Sequence, residues 1–89
     1  MYYVYMLRCQ GGSLYTGYTD DIDRRYAAHA AGKGAKYTKS RPPQYIAAAW
    51  ATESKTDAMR LEYRIKRLPK AKKEALLADP LAEPYQKVR

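Results

Sequence analysis

The chain has no phenylalanine, one cysteine, one histidine and nine acidic residues. Cys9 alone can form neither an internal disulfide framework nor a Cys-rich zinc site, and one His with one Cys cannot complete a closed tetrahedral zinc shell. No apolar run approaches the roughly 18 residues needed to cross a bilayer, so membrane spanning is excluded. Nothing at the N-terminus reads as a charged-then-apolar export signal, and with the lone thiol this sets the expectation of a cytoplasmic protein. A chain of 89 residues makes one small domain, able to bury ~60% of its unfolded surface and to fold without staples.

What is abundant is positive charge and tyrosine. Seventeen Lys and Arg against nine Asp and Glu leave a net charge of +8, and on so small a surface that field attracts polyanions. Nucleic acid is the first partner to consider; the alternatives are charge that serves solubility or a ribosome-associated accessory. Ten tyrosines stand where a core would be equally well served by Phe, which raises the question of what the phenols do.

Residues 2–8, YYVYMLR, and 13–19, SLYTGYT, are rich in aromatic and β-branched types and flank the turn signal QGGS, which predicts a β-hairpin. A helix over about 21–31 follows, with Asp20 as its cap and Asp23 favouring its positive end. Residues 32–44 carry glycines, prolines and four basic residues without periodicity and read as a loop. YIAAAWAT, 45–52, predicts a third strand, with Trp50 in the core. Ser54 and Asp57 open a second helix on which Ala58, Leu61, Ile65 and Leu68 form an apolar stripe. Pro69 suits the start of a third helix that Pro80 stops, and the last nine residues read as a loose tail. The expectation is an α+β domain over 1–79 with a tail over 80–89, in the order β-β-α-β-α-α: a three-stranded antiparallel sheet flanked by helices.

Tyr3-Val4-Tyr5, then Tyr15-Thr16-Gly17, then Arg25 and His29 on the next helix and Glu62 on the helix after the third strand together resemble the GIY-YIG nuclease domain, in its small stand-alone bacterial branch. The resemblance covers residues 2 to about 78. Tyr3 replaces the first glycine of the motif and Thr16 its isoleucine, neither a position that supplies a reactive atom. The chain also has no Asn, where some family members place one late in the domain; Lys66 or Lys70 are the candidates to stand in for it, by charge though not by geometry. The resemblance implies a metal-dependent phosphodiesterase acting on DNA, in repair or processing.

The register of the hairpin tests this likeness, because strand residues alternate faces. A two-residue Gly11-Gly12 loop would send Tyr5 and Tyr15 to opposite faces. A three-residue loop, Gln10-Gly11-Gly12, pairs Leu7 with Tyr15 and Tyr5 with Gly17, so both phenols face one cleft, and Gly17 leaves room between them for a water and a phosphate. Phe could pack there but could neither hydrogen-bond water nor take its proton.

Arg25 and His29, four apart, share a side of their helix. The arginine fork suits phosphate oxygens, whereas His29 trades a proton near neutral pH or holds Tyr15 by a hydrogen bond. Glu62 is the expected ligand of Mg2+ (or Mn2+), which commonly needs only one or two protein carboxylates. In the one-metal scheme Tyr15 accepts the proton of the attacking water, Tyr5 orients it and Arg25 steadies the phosphate. Lys33, Lys36, Lys39 and Arg41 of the loop, with Lys66 and Lys70 on the later helices and Gly17 in the cleft, are the expected nucleic-acid contacts. Two rival readings remain: a non-catalytic nucleic-acid adaptor on the same scaffold, and a subunit whose specificity comes from a protein partner.

Overall fold

The computed structural model describes residues 1–89. Strands β1 (Tyr2–Cys9) and β2 (Leu14–Thr19) form an antiparallel hairpin closed by a single 3-10 turn, Gln10–Gly12. The Cys9 N–H donates to the Ser13 carbonyl at 2.8 Å across the three-residue loop. Gly11 and Gly12 both lie at positive φ, 86° and 87°, where a side chain is disfavoured, so both glycines of the turn are used. The register is the one expected: Tyr5 opposite Gly17 and Leu7 opposite Tyr15.

Helix α1 (Ile22–Ala30) is capped by Asp21 rather than Asp20: the Arg24 N–H donates to the Asp21 carboxylate at 3.0 Å. Asp20 instead pairs with Arg24 at 2.6 Å. The segment expected to be all loop contains a short helix, α2 (Lys36–Ser40), which apolar periodicity could not reveal because Thr38 alone among its residues is buried. β3 (Pro43–Thr52) starts two residues earlier than expected and pairs antiparallel with β1. Helix α3 (Lys55–Lys66) is capped as expected, the Asp57 N–H donating to the Ser54 hydroxyl, and α4 (Lys70–Leu76) follows Pro69.

The sheet has four strands, not three, in the order β2-β1-β3-β4. The fourth, β4 (Gln86–Lys87), comes from the segment expected to be a loose tail and pairs with Trp50 and Ala51. Two residues cannot show a strand pattern in sequence, and the pairing is earned by a free edge of β3. Trp50 is fully buried as expected, and its indole N–H donates to the Asp79 carbonyl at 2.8 Å. Arg89 reaches back to Asp23 at 2.7 Å.

Each face of the sheet has its own apolar cluster. Val4, Met6, Ala48 and Trp50 pack against Ala58, Leu61 and Ile65 of α3; Tyr5, Leu7, Cys9 and Ala49 pack against Ile22 of α1. Helix α4 is fastened to the hairpin by Arg8, which donates to both carboxylate oxygens of Glu74 at 2.6 and 2.7 Å. These bonds hold the Glu74 carboxyl down at about 2.

Candidate active site

A cleft of about 600 Å3 is lined by Tyr5, Tyr15 and Gly17 from the hairpin, Arg25 from α1 and Glu62 from α3. Tyr5 and Tyr15 come from one face of the sheet, Glu62 from the helix on the other. They can meet only at the free edge of the sheet, and β2 is that edge strand.

Tyr5 is 2% exposed. Its hydroxyl lies 2.7 Å from His29 Nε2. Burial pushes its phenol up to about 12, partly offset by the neighbouring Arg25 guanidinium, so it stays protonated at neutral pH. His29 is fully buried behind Tyr5 and does not line the cleft. Its Nδ1 lies 2.7 Å from the Thr38 hydroxyl. The expectation that His29 holds Tyr15 by a hydrogen bond is therefore corrected: it holds Tyr5, and meets Tyr15 by ring contact at 5.1 Å between centroids. Burial, reinforced by the Arg25 charge, lowers His29 to about 4, so the imidazole is neutral.

This sets a pH dependence. An unfolded histidine takes its proton near 6.5, the folded His29 only near 4. Protons therefore favour the unfolded chain as pH falls through that window, and folding stability above pH 6.5 is expected to fall by up to ~3 kcal/mol by pH 4 from this group. Urea unfolding of the wild type and of His29→Phe at a series of pH values between 7.5 and 4 checks it: the wild type should lose more stability than the variant as pH falls, and that difference is the share of His29.

Tyr15 is half-buried and braced on several sides. Tyr5 lies at 6.4 Å between ring centroids, Tyr37 stacks on it at 5.8 Å with planes 25° apart, and the Lys66 ammonium sits 5.6 Å from its ring centre. Gly17 lines the cleft, yet the space beside it is not open as expected. A Cβ at this position would stand 2.5 Å from the Tyr5 hydroxyl and 3.2 Å from the Tyr15 ring. The missing side chain makes room for the phenols themselves.

Arg25 lines the cleft and reaches the Gly34 carbonyl at 3.5 Å, too long to engage its guanidinium fully. Glu62 is 20% exposed, with Lys66 Nζ at 3.6 Å. No cluster of three or more His, Cys, Asp or Glu side chains suited to a metal is present, which excludes an all-protein cage. Of the two carboxylates on the cleft, Asp20 is paired with Arg24 at 2.6 Å, and Glu62 fits a hard cation completed by water and substrate phosphate oxygens, as magnesium is commonly held.

The expected nucleic-acid contacts divide. Lys66 stands beside Glu62 and Tyr15. Lys70 is turned away, donating to the Gly12 carbonyl at 3.2 Å and pairing with Glu74, so it cannot replace a cleft residue. Lys33, Lys36, Lys39 and Arg41 do not line the cleft; Arg41 lies 5.9 Å over the Tyr37 ring. Sequence reasoning missed Arg24, Lys55 and Tyr18, which do line it. It also missed Thr38, whose signal is slight: a threonine between two other polar residues in a run without periodicity.

A model of the GIY-YIG catalytic domain matches residues 1–75. The chain is 56% identical over 77 residues to the UPF0213 protein BH0048 of Halalkalibacterium halodurans, covering 86% of this chain and 82% of that one. It is 53% identical over 76 residues to the UPF0213 protein VNG_2274C of Halobacterium salinarum, covering 85% and 99%. The fold is similar to the solution NMR structure of the UPF0213 protein BH0048 from Bacillus halodurans, with a TM-score of 0.57 over 88% of this chain and 84% of that one.

Proposed function

The chain belongs to the GIY-YIG family, and on that footing we propose that it is a metal-dependent endonuclease that hydrolyses DNA phosphodiester bonds in repair or processing. The observation that carries this reading is the convergence of Tyr5, Tyr15, Arg25 and Glu62 on one cleft at the sheet edge. A protein that only tracked phosphates would need the cations but neither the buried phenol nor the carboxylate.

The roles follow from the environments. Arg25, with a long and weak protein contact, is free to grip two phosphate oxygens and to meet the negative charge that grows during in-line displacement. Tyr5, committed to His29, is fixed in place and orients the attacking water. Tyr15 reaches the same cleft beside Lys66 and, once its own phenolic proton has passed to solvent, accepts the water's proton. Glu62 would hold Mg2+ or Mn2+, which supplies Lewis-acid stabilisation to the departing 3′ oxygen. The products are a 5′-phosphate and a 3′-hydroxyl.

The test is cleavage of a labelled panel of duplexes, flaps, forks and single strands, with and without magnesium. The expected result is magnesium-stimulated nicking. The rival adaptor reading draws on the net charge of +8 and on the cations away from the cleft. It predicts shifted bands and no cut strand on every substrate. Under either reading affinity should fall steeply with salt, because each phosphate contact releases counterions.

A further inference from the structure

We propose that Thr38 is a positioning residue of the active site: it locks His29 in the tautomer protonated at Nδ1, so that the Tyr5 hydroxyl must donate to His29 and present its lone pairs to the cleft. The kinetic half of this inference rests on the hydrolytic reading above; the tautomer does not.

The assignment comes from counting protons around one oxygen. The Thr38 hydroxyl has three close partners: the Ala35 N–H at 3.3 Å, the Ala35 carbonyl at 3.0 Å and His29 Nδ1 at 2.7 Å. The Ala35 N–H can only donate and the Ala35 carbonyl can only accept. Thr38 has a single proton. If it went to His29 Nδ1, two oxygens with no proton between them would face each other at 3.0 Å. If it goes to the Ala35 carbonyl, the threonine oxygen accepts from Ala35 and from a protonated Nδ1, and all three contacts are satisfied. A neutral imidazole has one N–H, so Nε2 is then bare. The hydrogen bond at 2.7 Å between Nε2 and Tyr5 must run from the phenol to the ring.

The surroundings leave the ring no other pose. His29 is fully buried. Gly34 lies flat against the ring, and any Cβ there would overlap its Nδ1 edge. Thr38 itself is 1% exposed. Gly34 precedes the short α2 segment and Thr38 lies within it, next to Tyr37, which stacks on Tyr15. One five-residue helix thus braces both phenols, one through a histidine and one directly. A Tyr5 hydroxyl that donates inward can only accept from the cleft, which aims a water's O–H at it and leaves the water's oxygen lone pair turned elsewhere, as a nucleophile requires. With the opposite tautomer the phenol would donate outward and bind the water by its lone pair.

The experiment is nitrogen-15 NMR of the imidazole at neutral pH, together with steady-state cleavage, for the wild type, Thr38→Ser and Thr38→Val. The wild type and the serine variant should show a protonated Nδ1 and a bare Nε2. The valine variant, which cannot accept from Nδ1, should shift towards the Nε2–H form and lose about 10-fold or more in kcat with KM little changed. A merely structural threonine would lower stability in Thr38→Val without moving the tautomer. An Nε2–H form in the wild type, or a valine variant that keeps the tautomer, overturns the proposal. The NMR result decides it even for a protein that cuts nothing, so its failure is distinct from failure of the nuclease reading.

Discussion

Glu62→Gln is expected to lower magnesium-dependent cleavage by ~10³-fold or more while the protein stays folded. The amide keeps the shape of the side chain and loses the charge that a hard cation needs. Losing about 4 kcal/mol of charge stabilisation at the leaving oxygen corresponds to that factor. The fold should hardly notice, because the carboxylate's ion pair is with Lys66, which is 48% exposed; such pairs contribute ~0.3–0.5 kcal/mol. Single-turnover cleavage and thermal unfolding of the same preparation separate the two effects. Cleavage at the wild-type rate would remove Glu62 from the mechanism.

Gly17→Ala is expected to cost ~10²-fold in kcat. The added methyl would stand 2.5 Å from the Tyr5 hydroxyl and 2.7 Å from the carbon bearing it, distances that real Cβ atoms do not tolerate. Tyr5 cannot swing away cheaply, being 2% exposed and bonded to His29 at 2.7 Å. Either the phenol leaves His29 or β2 moves outward, and a misplacement of about 1 Å in a catalytic group is worth a factor of that size. Overpacking of this kind also destabilises by ~1–3 kcal/mol. The chemical step measured under saturating substrate, alongside urea unfolding, checks both. An alanine variant with full activity would show that the position of the Tyr5 hydroxyl does not matter.

The two predictions differ in how far the sequence alone could have reached them. Glu62 is recognisable from its place on the helix after the third strand and from its likeness to the family pattern. The role of Gly17 is recognisable only in part. The register that sets it opposite Tyr5 follows from a three-residue turn, yet what fills the space beside it is a matter of side-chain packing. The same division runs through the basic residues. A run such as Lys33, Lys36, Lys39 and Arg41 reads as a phosphate-tracking arm, but charge in sequence has no direction. The cleft is instead walled by Arg24, Arg25 and Lys55, two of them unremarked because they sit among acidic or polar neighbours.

The first three strands, helices α1, α3 and α4, the hairpin register and the shared face of Tyr5 and Tyr15 were determined by the sequence, since alternation along a strand, turn length and capping residues act over a few positions. The tertiary structure alone decided that His29 serves Tyr5 rather than Tyr15, that Thr38 stands behind it, and that the chain's end adds a fourth strand. Each of these depends on where separate elements cross, and so on the packing of two apolar clusters against opposite faces of one sheet. Local pattern carries no information about such crossings, because the same amphipathic helix can dock at many angles until its neighbours are in place.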